Sequence, residues 1–125
     1  MKSTHLFVAV AAICLPLAAV FAQAPSKPAP AKPTYKDVAA FFTANCMRCH
    51  TGERAPRQID LSSYQALMEG GETGPVVKPG APKHSLLIRA LRGDKGLRRM
   101  PPRGEAIPEE QIQMIETWIR AGAKP

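Results

Sequence analysis

"ANCMRCHTGE", residues 44–53, gathers Cys46, Cys49 and His50 into five consecutive positions, C-M-R-C-H. Two thiols and an imidazole at this spacing suit three kinds of chemistry: a reactive dithiol, part of a zinc site, or a covalent anchor for a metalloporphyrin. Each needs different residues elsewhere, so the rest of the chain discriminates among them.

Upstream of the motif the pattern is helical. Thr34 followed by Asp37 has the spacing of a capping box and predicts a helix from Tyr35 to about Ala44. Tyr35, Val38, Phe41 and Phe42 share one face, with Lys36 and Thr43 opposite. Asn45 takes the next place on the apolar face and suits a helix end, so the helix stops just before Cys46. Downstream, "SSYQALMEGG" predicts a short helix with Ser62 as N-cap, Gln65 at the box position and Gly70-Gly71 as stop. A helix from about Pro82 to Arg92 follows and ends at Gly93, and Pro101-Pro102 force "RRMPPRGEA" into an irregular loop. The clearest helix is the last. Pro108 opens it, Glu109 and Glu110 complement its dipole, Gly122 closes it, and Ile112, Met114, Ile115, Trp118 and Ile119 form its apolar stripe. No stretch alternates with period two. The expected fold class is all-α: about four short helices, with loops too long for a plain bundle unless they wrap around something.

The 125 residues allow one small domain. Residues 1–24 read as a secretory signal peptide, with Lys2 and His5 before an apolar run from Leu6 to Phe21 and small-residue cleavage signatures ending at Ala22 and Ala24. Ile13 before Cys14 is too bulky for a lipoprotein site, so Cys14 leaves with the signal. Residues 25–33, "PSKPAPAKP", read as an extended tether, and residues 34–125 as the folded domain. No stable membrane span is expected in the mature chain, and the expected location is periplasmic or otherwise exported. Of seven aromatics, Phe7 and Phe21 fall in the signal, so the domain looks under-filled without a large apolar group at its centre.

These features separate the three chemistries. Two mature cysteines in one five-residue motif cannot staple a disulfide scaffold. Zinc wants three or four protein ligands, and His84 is the one obvious further donor. A redox dithiol normally opens a helix after a strand; here the motif follows a helix end and no strand is expected. Covalent haem uses every residue: Cys46 and Cys49 add to two vinyl groups on one porphyrin edge, and His50 then lies under the ring as an iron ligand. One covalently attached haem c is the expected cofactor. For the sixth iron ligand, Met47 sits between the anchors and cannot reach the far side. Met68 and Met114 lie on helices and read as packing, whereas Met100 lies in a non-helical loop stiffened by Pro101-Pro102. Met100 is the favoured distal ligand, and His84 the alternative.

The order of parts across residues 34–125 resembles the class I monohaem cytochromes c. A narrower likeness, carried by "IDLSSYQALMEGGETGPVVKPGAPKHSLLIRAL", "RRMPP" and "IPEEQIQMIETWIRAGA", is to planctomycete-type cytochrome c domains. The resemblance implies that the first and last helices cross, with Val38, Phe41 and Phe42 against Ile115, Trp118 and Ile119. "RAPRQ" stands where a small Gly-rich run is usual, and Pro56 is a candidate for the carbonyl that accepts the second ring N–H of His50.

A filled coordination sphere leaves iron able only to change oxidation state, so the expected function is an electron carrier and not an enzyme. The alternative is a haem-based sensor, or an accessory module of a larger enzyme with a labile distal Met. Without Lys2 the mature chain carries 16 basic and 10 acidic residues. Nucleic acid is excluded as a partner by export and haem. Arg98, Arg99 and Arg103 around Met100 fit either an acidic redox partner or the haem propionates.

Overall fold

The computed structural model describes residues 32–125. The expected signal peptide and residues 25–31 of the expected tether lie outside the described residues. Four helices follow one another: α1 (Tyr35–Asn45), α2 (Tyr64–Glu69), α3 (Leu86–Arg92) and α4 (Glu109–Arg120). Short 3₁₀ turns at Pro56–Gln58 and Pro82–His84 interrupt the connections, and among the described residues there is no strand.

α1 begins where the sequence expects. Asp37 Oδ2 accepts hydrogen bonds from the Thr34 backbone N–H at 2.8 Å and from its hydroxyl at 2.9 Å, satisfying groups that the first turn leaves without partners. At the other end, Asn45 caps from within: its side-chain amide donates to the Phe41 carbonyl at 2.9 Å. The apolar faces of α1 and α4 pack against each other. Val38, Phe42, Ile115 and Ile119 have no exposed surface in this crossing. Tyr35 packs between Tyr64, which it meets edge-on, and the tilted ring of Trp118, with ring centroids 5.2 and 6.0 Å away. Two aromatic polar handles then hold the chain end, as Tyr64 donates to the Ala123 carbonyl and Trp118 to that of Lys124.

Two expected helix starts move. Ser63 caps α2, accepting from Ala66 N–H at 3.1 Å. Ser62 is occupied elsewhere, because Asp60 Oδ1 takes its N–H at 2.8 Å and turns the chain one residue further before the helix opens. The helix expected from Pro82 to Arg92 is broken at Ser85. The buried Ser85 hydroxyl accepts from Lys78 N–H at 2.9 Å and donates to Ala81 O at 3.1 Å. That local bonding holds Ser85 in extended geometry (φ −81°, ψ 123°) between the 3₁₀ turn and α3. Gly93 ends α3 in the left-handed region (φ 68°), where a side chain would be strained.

α3 and α4 are joined by Arg92, whose guanidinium reaches Glu116 through Nη1 and Glu109 through Nη2. Glu116 is 8 % exposed, a polar residue within the α4 core face. The hydrogen bond from Arg92 holds the Glu109 carboxyl below its ordinary range, and the bonds to Glu109 and Glu116 raise the Arg92 guanidinium above its own.

Candidate functional site

The C-terminus of α1 turns directly into the motif. Cys46 N–H closes on Phe42 O at 2.8 Å, and Cys49 and His50 N–H both return to Cys46 O, at 3.1 and 3.0 Å. This tight turn leaves Cys46 half-buried and Cys49 exposed. Burial pushes the Cys46 thiol up to about 11, so it stays protonated at neutral pH.

His50 is held by main chain from the 59–61 segment. Its Nδ1 lies 3.0 Å from the Ile59 carbonyl, and Leu61 N–H donates to the His50 carbonyl at 3.0 Å. A carbonyl accepts only, so Nδ1 carries the proton and Nε2 is the nitrogen with a free lone pair. The partner is thus Ile59 and not Pro56, because the Pro56–Gln58 turn carries the chain past His50 before a carbonyl faces the ring.

Beside the motif lies a cavity of about 370 Å³, within the range of small-molecule and cofactor sites. Cys46, His50 and Met100 line it together with eight aliphatic side chains: Ile59, Leu61, Val76, Leu86, Leu87, Ala90, Leu91 and Leu97. Its polar lining is sparse, chiefly Arg57, Thr73 and Arg98. Met47, Met68, Met114 and His84 do not line it, and neither does Cys49. Met68 and Met114 pack against the core, and Met47 Sδ lies 3.4 Å from the Thr43 hydroxyl.

Met100 hangs from α3, with its N–H on Ala90 O at 2.9 Å. The loop after it is closed by Arg99, which donates to the carbonyls of Gly104 at 3.1 Å and Glu105 at 3.3 Å. The Arg99 stem crosses Gly93, where a Cβ would stand 3.1 Å from that of Arg99. Of the three loop arginines, Arg99 is therefore committed to the loop itself, while Arg98 and Arg103 are exposed. Arg57, Thr73 and the Ile59 carbonyl escape sequence reasoning: their place depends on the path of the 56–74 segment. The aliphatic wall of α3 had a signal, since Leu86, Leu87, Ala90 and Leu91 recur at helical spacing.

Residues 46–104 match the family model described as Planctomycete cytochrome C. That segment of the chain belongs to the planctomycete cytochrome c family. No curated protein and no solved structure matches the chain. The cytochrome match runs from the first cysteine through the Met100 loop; α1 and α4 flank it. Membership in a cytochrome c family implies haem c and points to a haem-binding electron carrier.

The residues present fit that group. An aliphatic cavity accepts the porphyrin faces, an imidazole with a free Nε2 stands in its wall, and a thiol and a thioether sulfur border it. Zinc fits less well, because among the described residues no three His, Cys, Asp or Glu side chains converge as ligands. Among the described residues no helix is long and apolar enough to cross a membrane.

Proposed function

We propose that the protein is an exported monohaem cytochrome that passes single electrons between redox partners outside the cytoplasm. Cys46 and Cys49 carry the thioether bonds, His50 is the proximal iron ligand and Met100 the distal one. The observation that carries this reading is the convergence of Cys46, His50 and Met100 on one aliphatic cavity from separate parts of the chain. Bound there, haem c supplies an iron that changes oxidation state by one electron. The protein's part is to hold and tune. His50 keeps its ring oriented through the Ile59 carbonyl, which raises the basicity of Nε2. Met100 offers a soft sulfur from a braced loop, and the aliphatic wall keeps water out and disfavours the more charged state. Arg98 and Arg103, the two exposed arginines of the loop, serve an acidic partner at its rim by speeding encounter.

The test is spectroscopic. Acidified organic solvent should leave haem on the polypeptide, and Cys49→Ala should shift the pyridine haemochrome band to longer wavelength. Met100→Ala should abolish the weak red absorption of thioether-ligated ferric iron and open the reduced protein to carbon monoxide. Haem lost to acid extraction would remove covalent attachment. Immediate carbon monoxide binding by the unaltered protein would favour the sensor reading, with a labile Met100.

A further inference from the structure

We propose that the Gly71–Gly74 turn is a positioning element for His50, acting through the Arg57–Ile59 segment. This rests on the reading of His50 as the proximal ligand. The segment has a backbone it would not choose alone. Arg57 and Gln58 both sit in the left-handed region, at φ 57° and 56°. Neither is glycine, and two consecutive side-chain-bearing residues there persist only where surrounding structure holds them. The immediate product of this twist is the direction of the Ile59 carbonyl, which meets His50 Nδ1 at 3.0 Å.

What holds the twist is the turn at residues 71–74. Gly71 and Gly74 close it by bonding each other's main chain, N–H to O at 3.1 and 2.9 Å. Glu72 N–H then donates to Arg57 O at 2.9 Å. Gly71 itself lies flat against the segment: a Cβ there would fall 2.6 Å from Arg57 O and 2.6 Å from Ile59 Cγ1. Gly71 is not among the residues of positive φ. Its lack of a side chain is therefore required by space and not by backbone angle. The turn is wedged against the two residues on either side of Gln58, so a displacement there moves the carbonyl that faces the imidazole.

A stretched or misdirected Nδ1–H bond lowers the basicity of Nε2. Less donation to iron disfavours the higher charge, so the midpoint potential should rise. The experiment compares holo Gly71→Ala with holo Ser63→Ala, which removes the cap of α2 and lowers stability without touching residues 57–59. Two quantities are read: the midpoint potential, and the exchange rate of the His50 Nδ1 proton by NMR. Gly71→Ala should raise the potential and speed that exchange, while Ser63→Ala changes only the melting temperature. Glu72→Pro, which deletes the N–H that donates to Arg57 O at an exposed position, should move both readouts in the same direction and serves if Gly71→Ala does not fold. Unmoved potential and exchange in the glycine and proline variants, or equal movement in Ser63→Ala, would overturn the proposal. An unaltered haem spectrum in His50→Ala would remove His50 from the iron, and the proposal with it.

Discussion

The α1–α4 crossing and the cavity wall use the same kinds of side chain, but they close in different ways. At the crossing, Val38, Phe42, Ile115 and Ile119 are fully buried and belong to one core with Trp118. Along the wall, Ile59, Leu86, Leu87 and Leu97 are only partly covered and border about 370 Å³ of space. The crossing is held by packing, whose strength comes from many short contacts. The wall is held by single main-chain bonds at its corners, Leu61 to His50 and Met100 to Ala90. One half of the molecule is finished by its own residues. The other leaves a cavity that the proposed haem would fill.

The sharpest way to break this comparison is to delete one aliphatic side chain from each half. Ile115→Ala removes a fully buried branch from a region with no room to relax, and should cost about 2–5 kcal/mol. Leu97→Ala, at a partly exposed position on the wall, should cost about 1 kcal/mol or less in protein lacking haem. With haem attached, the cost of Leu97→Ala should grow, while that of Ile115→Ala should hold steady. Urea unfolding of both variants, with Cys46 and Cys49 intact and with both replaced by Ser, measures all four values. Equal costs at the two sites without haem would show that the wall is as well packed as the crossing.

The same division explains what the sequence made legible. α1 and α4 could be read because their burial repeats at helical spacing and their first turns carry recognisable signals, Thr34 with Asp37 in one and Pro108 with Glu109 and Glu110 in the other. Cys46, Cys49 and His50 could be read because side-chain chemistry at close spacing needs no tertiary information. The loops were harder. Ser62 and Ser63 are equal candidates for a cap until Asp60 takes the Ser62 N–H. Ser85 breaks a helix because Lys78, seven residues away, bonds its hydroxyl. The partner of His50 is a main-chain oxygen, which any residue type could supply. Glu116 looks like a surface residue of α4 until Arg92 is brought across from α3.

That bridge supplies the next test, since α3 lines the cavity with one face and meets α4 with another. Arg92→Ala leaves Glu116 largely covered without its charged partner, and should cost about 1–3 kcal/mol. Both side chains keep some exposure, 33 % for Arg92 and 11 % for Glu116, so the cost stays below that of a fully buried pair. Arg92→Ala combined with Glu116→Gln should recover part of the loss, because the uncompensated charge is gone. The link between the halves would then be tested by Met100. If α3 is held in register from the α4 side, Arg92→Ala should also weaken the red absorption assigned above to Met100. A stability loss with that band unchanged would confine Arg92 to the crossing.

The smallest expected effect is acid sensitivity, and it should fall unevenly on the two halves. Asp37 accepts two bonds from Thr34, which hold its carboxyl below the ordinary range; the Arg92 guanidinium does the same for Glu109. These two carboxylates belong to the first turns of α1 and α4, while Asp60, also held below the ordinary range by its bonds with Ser62, lies between Ile59 and Leu61 of the wall. A group whose folded value lies below its unfolded one stabilises fully above the unfolded value. That contribution fades as pH falls below the ordinary carboxylate range and through the folded value. Acid should therefore loosen the starts of the two crossing helices and the Asp60 turn before it affects the Met100 end of the wall. All three groups are open to water, so the loss is modest and further reduced by salt. Hydrogen exchange of α1 first-turn amides should quicken between pH 5 and pH 3 relative to the Met100 amide. Asp37→Asn, which cannot gain or lose charge, should show a weaker dependence on pH at α1 and the same dependence at α4. An unchanged acid response at α1 in Asp37→Asn would mean that a group other than Asp37 titrates to loosen the helix start.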